Sequence, residues 1–426
     1  MPHAITITGR PRPLGVAAIL TALVSAAGLV APATLHAQTK PPPPPAARRV
    51  EFGIVPLVGG STDVGIGVGQ LSTLAGLAPG YAPYRWAIES AAFISFKPGE
   101  GMGDPLVIPY QDYYVQWTAP QLLDHRLRVE ARISFTRETT QRFYGLGNAS
   151  PAPDSELPSR DFYGRTHPMV WTRARYRIWD HLHAGFGSYY TQNWLEVPAQ
   201  STLAQQMVTG DPLVRTLLGA HAPHGVLLLE ALALYDSRDN EIAPESGQFH
   251  QIKLRVSPEL NAEVPYSYQQ INLTSRFFKT LIPARLGLAA RLVGDLQFGH
   301  PPFYELARYD DTYALGGSSG VRGVPAQRYY GKVKVFANWE VRSQLVQFRL
   351  LKKQLMLGAV VFFDAGRVWT DLGSHPELDG RGRGIKYGLG GGLRLQEGKT
   401  FVVRADIAWS PDARPVGGYV DAGQMF

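Results

Sequence analysis

The chain contains no cysteine. That excludes a disulfide framework, removes the thiol as a nucleophile and takes away the softest metal ligand. Charge is sparse as well, with only 18% of the 426 residues being Asp, Glu, Lys or Arg. The formal net charge is +7, yet the basic residues are spread along the chain and form no patch of the kind nucleic acid needs. Long apolar runs are missing too. Beyond residue 37 no stretch approaches the ~20 apolar residues of a membrane-spanning helix.

What the chain does hold is 45 glycines, 20 tyrosines and a mean hydropathy of −0.12. Such a composition fits strands that give every second residue to water. The ends are distinctive. Residues 1–37 read as a secretory signal rather than an anchoring helix: Arg10 and Arg12 precede an apolar core from Leu14 to Val30, and Leu35-His36-Ala37 makes a cleavage site. Residues 38–49 include five consecutive prolines and read as a stiff, disordered spacer. An exported chain with no later helical span is either a soluble periplasmic protein or an outer-membrane barrel.

From residue 50 to 426 the pattern is all-β, and sixteen strands can be parsed. The first eight are expected at 51–59, 63–75, 85–97, 107–118, 125–147, 162–179, 182–197 and 225–239. The others are expected at 248–260, 268–282, 284–298, 330–346, 354–369, 385–396, 400–410 and 419–426. Alternation is inside out relative to a soluble sheet. Leu286, Leu288, Ala290 and Leu292 would face lipid while Arg285, Arg291 and Asp295 face a lumen. Six tryptophans (Trp86, Trp117, Trp179, Trp194, Trp369 and Trp409) fall near strand ends, where an interface girdle belongs. The fold class is therefore a sixteen-stranded antiparallel transmembrane barrel. The longest connection, 299–329, lies between strands 11 and 12. Residues 199–220 form a further long connection, read as short helical pieces or as disorder.

Several motifs suggest chemistry that their context denies. Gly316-Gly317-Ser318-Ser319-Gly320 fits a G-x-S-x-G elbow, but no helix follows it, so no catalytic residue is expected. The pairs His181/His183 and His221/His224 lack a third ligand and read as exposed histidines, so no metal or other cofactor is expected. Arg126, Arg128 and Arg132, with Arg173, Arg175 and Arg177, would point into the lumen. There they either favour anions or, as the better reading, pair with Glu130 and other acids.

The remaining pattern is more specific. Arg322 and Gly323 sit in the long loop, Glu340 and Asp364 are inward acids on strands 12 and 13, and Gly358, Gly366, Gly388, Gly390 and Gly392 share the parity of Asp364. Such glycines leave a strip of wall that another backbone can approach closely.

Val321-Arg322-Gly323, Asn338-Trp339-Glu340 and Phe362-Phe363-Asp364-Ala365-Gly366-Arg367-Val368-Trp369 resemble the barrel signatures of the outer-membrane assembly-factor superfamily (BamA/TamA type, bacterial surface antigen domain). Phe143-Tyr144-Gly145-Leu146-Gly147-Asn148 and Asp236-Ser237-Arg238-Asp239-Asn240 look like the same family. The resemblance implies that the long loop folds into the lumen and that Arg322 pairs with Glu340 and Asp364. It also implies a weak seam between the first and last strands.

Pro56, which removes a ladder donor, and the short last strand with Gly423 support that seam from the residues themselves. Phe426 resembles a barrel-recognition signal. Val324 stands where the family usually has an aromatic, which should loosen the loop tip. Relatives carry POTRA domains ahead of the barrel, and residues 38–49 are too few for one.

The implied function is assistance in inserting or translocating outer-membrane components. Its partners would be lipid, client barrel proteins or a separate periplasmic protein, with no nucleic acid. The alternative is a passive pore or scaffold.

Overall fold

The computed structural model describes residues 49–426, apart from 82, 100–104, 152–157, 220, 311, 351–352, 399–400 and 413–415. The expected signal (1–37) and nearly all of the expected spacer (38–49) lie outside the described residues; Arg49 already opens a strand.

The first strands are Arg49–Ser61 (β1), Gly65–Leu77 (β2), Trp86–Pro98 (β3), Tyr110–Leu122 (β4), Leu127–Arg142 (β5) and Phe162–Arg177 (β6). Next come Leu182–Glu196 (β7), His224–Asp236 (β8), Gly247–Ser257 (β9), Ser267–Ile282 (β10) and Leu286–His300 (β11). The last five are Val333–Leu350 (β12), Lys353–Trp369 (β13), Lys386–Glu397 (β14), Phe401–Trp409 (β15) and Gly417–Ala422 (β16). Each is antiparallel to its neighbours, and β16 returns to β1, closing the expected sixteen-stranded barrel.

Alternation decides which side each residue takes. Leu288, Leu292, Val335, Trp339, Val361 and Phe363 are exposed on the outside, whereas Arg291, Asp295, Lys334, Asn338, Glu340 and Asp364 are buried on the inside. An apolar exterior around a charged interior suits a wall standing in hydrocarbon.

Connections differ at the two ends. Where β1 begins and β16 stops, hereafter the terminal end, turns such as 123–126, 178–181 and 283–285 are short. The loop end carries 143–161, 197–223, 301–332 and 370–385. Within 197–223 the sequence forms two helices, Thr202–Thr209 (α1) and Pro212–Leu218 (α2). Ser201 caps the first, its Oγ accepting from Ala204 N at 3.1 Å, and Asp211 Oδ1 accepts from Val214 N at 3.0 Å to cap the second. Leu203, Val214, Leu217 and Leu218 pack on Phe303, Tyr304 and Leu306. The helices therefore cover the long loop rather than stand free.

Two expected strands are cut short at glycines. The strand expected at 125–147 stops at Arg142, because Gly145 (φ +122°) and Gly147 (φ +78°) turn the chain across the mouth, where Leu146 bridges to Tyr330. The last strand, expected at 419–426, is Gly417–Ala422. Gly423 (φ +88°) ends it, and the tail turns inward. Met425 and Phe426 are buried against the inward-facing Phe278 and Ala289, so Phe426 does not lie on a lipid-facing edge.

Candidate functional site

Between β11 and β12 the chain makes a short 3-10 turn, Phe303–Ala307, then a two-residue bridge pairing Arg308 with Tyr313, then the glycine-rich tip. Arg322 in that tip is completely buried. Its Nε donates to Asp364 Oδ2 at 2.8 Å and its Nη2 to Asp364 Oδ1 at 3.1 Å, a bidentate fork. Nη1 donates to Glu340 Oε1 at 2.7 Å and to Asp406 Oδ2 at 3.3 Å. The Arg322 backbone N–H also donates to Asp364 Oδ2, at 3.1 Å. The Phe362 ring lies beneath the guanidinium, 3.4 Å from ring centroid to Cζ. Burial works against this charge, but Asp364, Glu340 and Asp406 outweigh it and hold the Arg322 pKa above its already high ordinary value.

Asp406 is the acid that the sequence resemblance omitted. Its inward parity on β15 was readable beside that of Arg404, but no motif singles it out. Two of the three carboxylates, Glu340 and Asp406, are shared with wall cations. Arg342 Nη2 lies 2.8 Å from Glu340 Oε2, Arg394 Nη1 is 2.5 Å from Asp406 Oδ1, and Arg404 Nη1 is 3.3 Å from Asp406 Oδ2.

The glycines divide by what a side chain would strike. At Gly388 a Cβ would run into the Arg322 carbonyl oxygen, at Gly390 into Ile407 O and the Phe362 ring, and at Gly392 into the Asp406 carboxylate and Ala405 O. Gly388 alone makes room for the loop itself, while Gly390 and Gly392 make room for Phe362 and Asp406, the groups that contact Arg322. Gly358 and Gly366 do not serve the loop: a Cβ there would meet Ser343 and Phe336 of the adjoining strand. Gly323 (φ +90°) gives its N–H to Tyr419 Oη at 2.9 Å and lies so close to the Trp409–Ser410 backbone that no Cβ fits. Val324, where a larger aromatic was expected, is fully buried in a cluster with Val321, Leu315, Tyr329 and Phe336.

The G-x-S-x-G segment contributes backbone acceptors. Arg404 Nη2 donates to Ser318 O at 3.0 Å, Arg291 Nη2 to Ser319 O at 2.5 Å and Asn338 Nδ2 to Gly320 O at 2.8 Å. Among the expected exposed histidines, His224 is instead buried, its Nε2 2.8 Å from Tyr304 Oη in the loop's 3-10 turn. The lumen arginines are largely paired. Arg128 (2.8 Å) and Arg175 (3.5 Å) reach Glu130, Arg173 reaches Glu230 at 3.1 Å, and Arg132 Nε donates to Gln116 at 2.8 Å.

The seam is the second feature. β1 runs beside β2 over its whole length, Arg49 opposite Leu77 through Ser61 opposite Gly65. Against β16 it has two residue pairs, Gly60 with Val420 and Ser61 with Tyr419, and a bond from Thr62 N to Gly418 O. Pro56 lies in the part of β1 that β16 leaves unpaired. Gly423 marks where the chain departs, and the tail is held inside: Arg394 Nε donates to Gln424 Oε1 at 3.2 Å, and Arg342 Nη2 to Phe426 O at 3.3 Å. Loop and tail thus meet through Glu340, which binds Arg322 with one oxygen and Arg342 with the other.

Comparison with known proteins agrees with this geometry. The family model of the Omp85 superfamily domain matches residues 109–418, well over half of the chain. Among solved structures, BamA from Haemophilus ducreyi lacking POTRA domains 1–3 matches with a TM-score of 0.58 at 13% identity, covering 88% of this chain and 70% of that one. CdiB from Escherichia coli matches with a TM-score of 0.54 at 12% identity, covering 90% of this chain and 64% of that one. At such identities the likeness concerns the fold. A comparison with curated proteins found no match. With a matching family model, a closed sixteen-stranded wall and an apolar exterior, this chain belongs to the Omp85 superfamily of outer-membrane β-barrels.

Proposed function

We propose that this barrel assists the insertion or translocation of other outer-membrane components through the β1/β16 seam, with the terminal end facing the periplasm. The observation that carries this reading is the seam itself: two residue pairs, against the six that join β15 to β16. A sheet edge left unpaired over most of β1 offers N–H and C=O groups to an incoming strand. The buried set of Arg322, Gly323, Glu340 and Asp364 acts in this reading as a lock that keeps the loop, and the wall from β12 to β15, in one arrangement. Residues 1–37 would direct export and be removed, and 38–49 would space the barrel from a separate periplasmic partner. Lipid and client barrel proteins complete the list of partners, and no catalysis, metal or cofactor enters the scheme.

The rival reading is a passive pore or scaffold. The loop 301–332 weighs against a wide conduit, since it is fastened to β5, β6, β8, β12, β13 and β15 at once. Reconstitution in liposomes separates the two. The proposed role gives faster insertion of an unfolded client barrel and little solute leakage. Leakage without any gain in insertion would leave the passive pore standing.

A further inference from the structure

The connection from β13 to β14 returns to the wall through Gly380-Arg381-Gly382-Arg383-Gly384. Its three glycines hold left-handed backbone, at φ +74°, +81° and +54°. Donors on the barrel fix the segment by its carbonyl oxygens. Arg367 Nη1 donates to Gly382 O at 2.6 Å and also to Arg383 O, and Asn148 Nδ2 donates to Gly384 O at 2.6 Å. In a trans peptide the N–H points opposite to the C=O. With these carbonyls turned toward Arg367 and Asn148, the N–H groups of Arg383, Gly384 and Ile385 turn away from them. None of the three donates to another group among the described residues. Successive free N–H groups of this kind make a concavity suited to an anion.

The charges point the same way. Arg381 and Arg383 are exposed, and neither has an acid partner among the described residues. Arg367 braces the turn from behind, its Cζ 4.9 Å from the Trp369 ring centroid, and it too pairs with no carboxylate there. The acids of the same connection are engaged elsewhere. Asp371 lies 3.3 Å from Lys332, Glu377 lies 3.6 Å from His375, and Asp379 Oδ1 accepts from Thr370 N at 2.8 Å. Asp412, on the next connection, lies 3.3 Å from Lys386.

Position selects the class of anion. Arg367 stands opposite Val335, whose side chain is exposed on the outer face, so the brace itself is on the lipid side of β13. Phe363, Ile385 and Leu389 are exposed on that side as well. The Phe363 ring lies between Trp339, at 5.7 Å, and Tyr387, at 6.3 Å. The free arginines therefore stand at the rim of an apolar and aromatic face, at the level of lipid headgroups, where basic side chains attract anionic lipid.

We propose that residues 381–385 bind the phosphate of a phosphorylated lipid in the leaflet at the loop end, with its chains lying against Phe363, Tyr387 and Leu389. Arg381 and Arg383 supply charge, and the turned N–H groups supply direction. The site shares no residue with the Arg322 lock or the seam, and it does not depend on the proposed insertion role.

The test is native mass spectrometry of the full-length protein in detergent with three probes: the bisphosphorylated glycolipid lipid A, the same lipid stripped of phosphate, and inorganic phosphate. The expected result is that lipid A binds about tenfold or more tightly than its phosphate-free form and is not displaced by millimolar inorganic phosphate. Arg381→Gln combined with Arg383→Gln removes two exposed charges and should weaken lipid A binding about tenfold or more. The corresponding double lysine variant keeps both charges and should retain most of the binding. Arg215→Gln, which removes an exposed arginine of α2 at the same end of the barrel, should leave binding unchanged. Heat-modifiable migration in gels confirms that each variant is folded. The proposal would be overturned by equal binding of the phosphate-free lipid, by undiminished binding in the double glutamine variant, or by an equal loss in Arg215→Gln. Displacement of lipid A by inorganic phosphate would overturn it too, since the site would then take free phosphate rather than lipid.

Discussion

Arg322 joins one loop residue to three strands, and removing it does more than delete a hydrogen-bond donor. Glu340, Asp364 and Asp406 are each almost inaccessible to solvent, so Arg322→Ala leaves buried carboxylates short of one counter-charge. Breaking such a set typically costs about 3–5 kcal/mol; Arg342, Arg394 and Arg404 remain to share the load, so a loss of roughly 3 kcal/mol is expected on denaturant unfolding in detergent. Arg322→Lys should rescue little, because an ammonium cannot reproduce the bidentate fork to Asp364 while also reaching Glu340. The loss should be non-additive with that of Asp364→Ala, since both changes disrupt one network. Loop 301–332 should then be nicked by protease while the wall persists.

Asp310, in the same loop, accepts from Lys253 Nζ and Arg255 Nη2 of β9, and the sign of the pH effect there follows from its carboxylate. Burial raises its pKa, but Arg255 and Lys253 outweigh burial and bring it below the ordinary aspartate value. A depressed carboxylate contributes stability that is fully present above the unfolded-state pKa and is lost as pH falls through the folded one. The groups around it are Lys253 and Arg255, with Glu230 and Arg173 behind them. Mild acidification that stays above the ordinary aspartate range, about pH 4, should therefore leave this contact intact. Protease nicking of the loop across a pH series would check this.

The elements show which features local pattern can predict. On β12 and β13 alternation alone put Glu340 and Asp364 on the inner face, because a period of two leaves no other side once the apolar residues face lipid. Asp310 was invisible by the same logic. It lies in an aperiodic loop, and its partners on β9 are 55 and 57 residues earlier in the chain. The tail departs from expectation because residues 419–426 continue a strand-like pattern, while the positive φ at Gly423 redirects the chain. β14 supplies a direct test of the bare-wall argument. Gly388→Ala places a methyl group where the Arg322 carbonyl lies, so it should displace the loop and raise protease nicking as Arg322→Ala does, without altering any charge. Gly358→Ala, which meets only Ser343 on the neighbouring strand, should leave nicking of the loop unchanged.

At the scale of the whole molecule, the barrel is stiff around most of its circumference and weak along one line. The two faces of that line are joined by two residue pairs, while the loop and tail tie the wall behind it to the lumen. If insertion proceeds through this line, zipping it shut should abolish insertion without harming the fold. The pairing of Gly60 with Val420 sets the register, and continuing it toward the terminal end brings Val58 opposite Ala422. Both are exposed on the outer face, and the chain has no cysteine of its own to interfere. The decisive measurement is therefore client-barrel insertion into liposomes by the Val58→Cys, Ala422→Cys double variant, oxidised and then reduced. The account predicts that oxidation stops insertion and reduction restores it. Full insertion by the oxidised, cross-linked barrel would contradict it.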